Sequence, residues 1–488
     1  MLTMNEVMEL LANRGQGHVV DAAMRRPPSD RLRYCDTVLG IDLEGLLDSL
    51  DAAILAQPKP SPRSMATPDC VDLENDHLDP SFVEAREVGE AMLARGEVAC
   101  ILVAGGQGTR LGWSGPKGTF PIGPVSDRSL FQLFAESILA LQRRFGQSIP
   151  WGIMTGGQNH VATAQFFTTN DYFGLSPNTV RLFQQGAVPT FDSGGKIILD
   201  HAGEIMGAPD GHGGVFRAME KADIFAWFGE SGAKHVFYFQ VDNPLCVVAD
   251  PVFLGIHAER RAEMSTKVVS KRSATERVGV VAVVDGTLRV IEYLEIPSSV
   301  SQLRESDGKL TFRAANTGIH AFSIEFMEYV ARSHRLPYHV TKKQLPGSME
   351  INGATVDGWK AEQFVFDALP MARHPSVVHV SRKREFSPVK SSNGQDSPEE
   401  AREALCEHYR SMLRSSGVRL SEKAREQPIE ISPVVAVDEI DLRRLNLQTL
   451  DIDGPIILTH DSFKFSTSEK HPTTSAPFSN PARLTSES

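Results

Sequence analysis

The stretch from Leu102 to Gly118, LVAGGQGTRLGWSGPKG, decides how the rest of this 488-residue chain is read. It continues an apolar run, VACILVA at 98–104, and carries Gly105, Gly106, Gly108, Arg110 and Lys117. A strand that runs into a glycine turn backed by cations points to a bound phosphate. Without Cβ atoms the backbone N–H groups of 105–108 can come close to an anion. Arg110 offers a planar fork to phosphate oxygens, and Lys117 follows one short turn later. Neither familiar phosphate loop fits. A Walker A loop needs G-x-x-x-x-G-K-[ST], but Lys117 lies between Pro116 and Gly118. A dinucleotide fingerprint needs G-x-G-x-x-G, and its last position is Leu111. The next strand candidate, IPWGIMTGG, also lacks the terminal acid that would hold a ribose hydroxyl.

Outward from this loop, short β-rich runs alternate with helical patterns from Val98 to about Arg384. The strand candidates are IPWGIMTG, TVRLFQQ, HVFYFQVD, STKVVSK, VGVVAVV, LRVIEYLE and SVVHVSR. SLFQLFAESILALQRRF and GGVFRAMEKADIFAWF read as helices between them. This alternation predicts an α/β sheet with helices on both faces, whose ligands bind beyond the carboxyl ends of the strands. Residues 1–97 read as an N-terminal helical region, from the i, i+3, i+4, i+7 spacing in NEVMELLA and DLEGLLDSLDAAIL. Residues 385–461 read as a helix followed by a small β domain. The Ser/Thr/Pro-rich tail, 462–488, holds too few large aliphatic residues to order itself.

Net charge is −11, which argues against nucleic acid or an anionic membrane as partner. Five scattered cysteines without a CxxC give no zinc or redox motif and suit a reducing compartment. MLTMNEVMELLANRG, with Glu6 and Glu9 and no basic stretch before an apolar core, does not read as a secretory signal, and no stretch reaches membrane-spanning length, so a cytoplasmic protein is expected. Self-association is left open.

The opening stretch resembles the signature L-x-x-G-G-x-G-T-R-L-G-x-x-x-P-K-G of the eukaryotic-type UDP-sugar pyrophosphorylases, and within them the N-acetylglucosamine enzymes most. Further matches follow in order: FYFQVDN, VGVVAVVDGTLRVIEYLE, DGWKAEQFVFD and REFSPVKSSNGQDSPEEAR. The resemblance runs from the helix before Val98 to about residue 415. It implies a Rossmann-like mixed-sheet nucleotidyltransferase core. The implied reaction joins UTP and a sugar 1-phosphate into UDP-sugar and pyrophosphate, by in-line attack at the α-phosphorus with Mg²⁺ (or Mn²⁺). Two anions must meet, so such a site works by neutralising and positioning charge.

The resemblance also implies roles. Asp242 would hold the metal. Arg110, Lys117, Lys360 and Lys390 would be the catalytic cations. Gly105, Gly106, Gly108, Gln185 and Gly214 would hold the nucleotide, with Gln185 on the uracil. His212, Gly279, Glu292 and Asn316 would line the sugar pocket. The chain departs from the acetylglucosamine pattern at His212 (for asparagine), Phe216 (for tyrosine) and Ile319 (for asparagine), all expected near the sugar. N-acetylglucosamine 1-phosphate is therefore the expected substrate, with a UTP–glucose-1-phosphate uridylyltransferase as the alternative. A non-catalytic UDP-sugar-binding regulator is the alternative of another class.

Overall fold

The structure, a computed structural model, describes residues 3–55, 64–74, 80–333, 336–346, 355–450 and 454–459. The tail expected to be disordered lies outside these residues.

Eight strands form the spine of one large mixed sheet. Their spatial order is Val71–Asp72, Pro375–His379, Met264–Ser270, Ala314–Ser323, His235–Gln240, Val98–Ala104, Trp151–Thr155 and Val180–Gln184. Ala314–Ser323 runs antiparallel to both its neighbours, and the other seven point the same way. The hairpin of Val280–Val284 and Thr287–Ile291 leaves this spine at Ala315. The central strands are apolar along nearly their whole length, as strands covered on both faces must be.

Helix Leu130–Phe145 covers one face. Ser129 caps its start by accepting from Gln132 N, and Gly146 ends it at φ 67°. It buries Leu130, Phe131, Phe134, Ile138 and Leu141. The run GGVFRAMEKADIFAWF forms two helices rather than one, Val215–Lys221 and Ile224–Glu230. Asp223 between them has φ 53°, which breaks the helical path.

Four N-terminal helices, between Met4 and Ile54, bury their apolar faces together with Phe191, Ile197, Tyr338 and Ala361. They rest on a second sheet of three strands, Phe191–Asp192, His339–Pro346 and Thr355–Glu362. Within the region expected to be helical, Met65–Ala66 and Val71–Asp72 instead add short strands to the main sheet. Toward the C-terminus, helix Pro398–Ser415 leads into two parallel ladders, Arg419–Leu420 with Thr449–Leu450 and Ile429–Ile431 with Ile456–Leu458. Ile429, Ile431, Leu442 and Leu458 share one apolar core with the main sheet.

Helix Pro80–Ala94 crosses helix Pro251–Glu259 at backbone distance. A Cβ on Gly89 would fall 1.9 Å from the Pro251 carbonyl oxygen, and one on Gly255 would fall 1.7 Å from that of Ala85. A methyl there must displace main chain. Gly89→Ala and Gly255→Ala should each destabilise the fold by about 1–3 kcal/mol or more. Gly229→Ala, in a helix with open space around its Cβ, should be neutral or stabilise by roughly 0.4–1 kcal/mol. Urea denaturation midpoints of the three variants check the contrast.

Candidate active site

The crevice opens where strand order reverses. From Val98–Ala104 the chain adds Trp151–Thr155 and Val180–Gln184 on one side and His235–Gln240 on the other. In register, Ala104 pairs with Thr155 and Val103 with Gln240, so the loops after these strands emerge together.

The glycine loop folds back on itself. Gly108 N donates to Gly115 O at 2.9 Å, and Lys117 N to Gly106 O at 3.1 Å. Lys117 is thereby returned to the strand end it left. Gly118 must be a glycine, because a Cβ would lie 2.2 Å from the ring of Phe131. A residue missed in the sequence holds the loop from behind. Asn159 is fully buried. Its Nδ2 donates to Ala104 O and Gly106 O at 3.0 and 3.1 Å, and its Oδ1 accepts from Gly156 N at 2.8 Å. The only signal for it was an asparagine just past the strand-end TGG.

Lys117, Asp242, Lys390 and Arg110 gather at one end of the crevice. Lys117 Nζ lies 3.9 Å from Asp242 Oδ2, with both side chains mostly buried. Burial lowers the Lys117 pKa from its usual 10.5. Asp242 opposes that shift, whereas Lys390 and Arg110 add to it. Lys390 and Arg110 are themselves exposed. Asn243 brings Lys390 here. Its Nδ2 donates to Glu385 O at 2.7 Å and its Oδ1 accepts from Ser387 N at 3.0 Å. Val389 N then donates to the Asp242 carbonyl at 2.8 Å.

Gln185 lies behind the glycine turn. Its Nε2 donates to Gly211 O at 2.7 Å, and its Oε1 lies so near Gly105 that a Cβ there would approach within 2.8 Å. Gly214 sits against the Asp210 carboxylate, which leaves no room for a side chain. Gly106 is exposed at the loop crest, and Gly108 packs against Trp113.

Gly279, Glu292 and Asn316, expected at the sugar, lie close to one another. A Cβ on Gly279 would lie 3.1 Å from Glu292 Oε1, and Asn316 N donates to Gly279 O at 2.9 Å. Glu292 falls just past its strand, which ends at Ile291. Burial raises its pKa, with nearby His339 pulling the other way. The Asn316 Oδ1 accepts from Gly318 N at 3.2 Å. His212 Nδ1 accepts from Val365 N at 3.0 Å, and its ring stacks on Phe364. Burial takes its pKa down to about 4, so the ring is neutral with its proton on Nε2.

Lys360 lies on the strand Thr355–Glu362, and its Nζ is paired with Glu362 at 2.7 Å. Glu362 is among the charges felt by His212, which puts the pair beside the His212 loop. Phe216 and Ile319, expected near the sugar, are packed in the interior. Both are 1% exposed and belong to the apolar cores, Phe216 edge-on to Phe322. Of the three departures from the acetylglucosamine pattern, His212 alone keeps a polar atom available at the site.

The family model of the UTP–glucose-1-phosphate uridylyltransferases matches residues 67–429. The chain belongs to that family. A UDP-N-acetylglucosamine pyrophosphorylase from Saccharomyces cerevisiae is 32% identical over 93% of this chain and 95% of its own. A probable UDP-N-acetylglucosamine pyrophosphorylase from Dictyostelium discoideum is 32% identical over 88% and 93%. Among solved structures, the Trypanosoma brucei UDP-N-acetylglucosamine pyrophosphorylase in complex with inhibitor superposes with a TM-score of 0.77. It is 28% identical and covers 91% of this chain and 95% of its own. The protein is thus a uridylyltransferase acting on UTP and a sugar phosphate to make a UDP-sugar. The reading as a non-catalytic regulator is set aside. No helix among the described residues is long and apolar enough to cross a membrane.

Because Lys390 disfavours the charged form of Lys117, removing it should raise the Lys117 pKa. The alkaline limb of kcat/KM should therefore lie below pH 10.5 in the wild type and move to higher pH in Lys390→Met. The variant's lower rate, expected at roughly 10²–10³-fold down, still permits the profile. An unmoved limb would show that Lys117 is not the group titrating.

Proposed function

We propose that the sugar substrate is N-acetylglucosamine 1-phosphate and that Mg²⁺ assists through Asp242. The observation that carries this reading is the convergence of Lys117, Asp242, Lys390 and Arg110 at one end of the crevice, with Gly279, Glu292 and Asn316 gathered together where hydroxyl groups would be read. The names of the yeast and Dictyostelium relatives support N-acetylglucosamine. So does the placement of Phe216 and Ile319 in the core, which removes two of the three reasons for preferring glucose.

Asp242 fits a magnesium role. No hydrogen bond from the described residues reaches its carboxylate, and Lys117 is at ion-pair distance only. No group of three or more His, Cys, Asp or Glu able to hold a metal occurs among the described residues. One hard oxygen donor suits an ion that keeps waters and phosphate oxygens for its other positions. Such an ion supplies charge neutralisation at the phosphates when bound. The chain's own part is to hold anions. Lys117 and Arg110 take the triphosphate from the glycine-loop side, and Lys390 closes on it from the C-terminal side. Lys360, paired with Glu362, serves the sugar side of the cleft. No proton need be abstracted, because the sugar phosphate attacks as an anion. Five free cysteines support a cytoplasmic setting for this reaction.

Pyrophosphate release from UTP, measured with N-acetylglucosamine 1-phosphate and with glucose 1-phosphate, tests the reading. The expected result is a higher kcat/KM for the acetylated sugar and loss of activity in excess chelator. Higher efficiency with glucose 1-phosphate would overturn the sugar, and full activity in chelator would overturn the metal. If the His212 Nε2–H meets the sugar, His212→Asn should move the ratio of the two efficiencies toward N-acetylglucosamine by roughly 5- to 150-fold. An equal drop in both would mean that His212 only braces Val365.

A further inference from the structure

Asp210 is a buried carboxylate that the proposed reaction does not use. It is 1% exposed, yet the backbone around it is shaped to hold it. A Cβ on Gly214 would lie 2.1 Å from Asp210 Oδ1, and one on Gly186 would lie 2.4 Å from both Asp210 Oδ2 and Arg217 Nη2. Two glycines thus leave space for one carboxylate. Arg217 Nη2 donates to Oδ2 at 2.9 Å. Among the described residues, Oδ1 accepts no hydrogen bond. Burial raises the Asp210 pKa. Arg217 and then the side-chain amide of Gln185 counter it.

Asp210 N donates to Gly186 O at 3.2 Å, which sets the carboxylate beside the Gln185 segment and suggests a use. Gln185 Nε2 donates to Gly211 O, while Oε1 lies toward Gly105 at the nucleotide turn. A glutamine amide that could turn over would offer either an acceptor or a donor. Here the reversed orientation would put Oε1 against the Gly211 carbonyl and beside the Asp210 carboxylate, acceptor against acceptor. The amide is therefore held with its NH₂ inward and its oxygen toward the nucleotide. Uracil presents an N3–H donor, and cytosine presents a bare N3 acceptor at the same place. An oxygen held outward pairs with the first and repels the second.

We propose that Asp210, backed by Arg217, is a positioning residue that locks the Gln185 amide and thereby makes the enzyme select UTP over CTP. This rests on the reading that Gln185 meets the base.

Calorimetric dissociation constants for UTP and CTP test it without reference to the sugar. The wild type should bind UTP more tightly. Asp210→Asn keeps the shape but gives the position an NH₂ that can face Gln185 Oε1, so the amide can turn. The CTP/UTP ratio of dissociation constants should then fall by about tenfold or more. Gln185→Ala should abolish the preference. A folded Asp210→Asn protein that weakens for both nucleotides by the same factor, or keeps its preference, overturns the proposal. If Gln185→Ala keeps the preference, the base contact itself is wrong and the proposal falls with it. If only Asp210→Asn keeps it, the base contact stands and the positioning role alone is lost. Should Asp210→Asn not fold, Arg217→Gln decides. A reduced ratio supports the lock, and an unchanged ratio overturns it.

Discussion

The active site depends on one side chain pairing with a distant stretch of backbone. Asn243 donates to Glu385 O and accepts from Ser387 N, bridging 142 and 144 residues of sequence. Those two bonds dock the segment carrying Lys390 onto the strand end carrying Asp242. A buried ion cluster lies under the same joint. Lys267 Nζ, with no exposed surface, contacts Asp250 at 2.6 Å and also Glu385. Burial alone would lower the Lys267 pKa, but the two carboxylates outweigh it and keep the ammonium charged. Removing one partner from such a cluster leaves an uncompensated buried charge, a loss of about 3–5 kcal/mol. The joint is thus held by directional bonds above and by charge below.

A second constraint is space. The glycine-loop side of the crevice is built from backbone approaches that no larger residue permits. Gly118 abuts Phe131, Gly105 abuts Gln185, and Gly186 and Gly214 enclose Asp210. Close approach lets the loops after three strands share one crevice, and it brings cations together inside a molecule with a net charge of −11. Long-range attraction of nucleotide anions by the whole protein is therefore not the design. The local cluster of Lys117, Arg110 and Lys390 supplies the positive field. Burial is the main cause that lowers the Lys117 pKa, with Asp242 opposing it and Lys390 and Arg110 adding to it.

Much of this was legible in the sequence. The strand-and-helix alternation gave the α/β core, and the glycine run with Arg110 and Lys117 marked the crevice. The collinear motifs pointed to Asp242, Lys390, Gly279 and Glu292, and the family resemblance to Gln185 and Asn316 outside them. The structure sets Asp242 and Lys390 near Lys117, and Gly279, Glu292 and Asn316 near one another. What could not be read were partnerships across long separations. Asn159 and Asp210 look like ordinary turn residues until the backbone they hold is seen. Lys267 sits in a strand run, STKVVSK, where a lysine reads as solvent-facing, yet it is fully buried because Asp250 and Glu385 arrive from elsewhere in the chain. The burial of Phe216 and Ile319 was hard to read for the opposite reason. They neighbour site residues in sequence, but the helix and strand turn them into the core.

The central claim is that the crevice brings two phosphates together for direct transfer, with cations and no protein nucleophile. The stereochemical course at the α-phosphorus tests it most directly. With a UTP carrying a chiral α-thiophosphate and the accepted sugar 1-phosphate, one in-line displacement inverts configuration at that phosphorus. The account predicts inversion in the UDP-sugar product. Retention would require two displacements through a covalent uridylyl-enzyme and would contradict it.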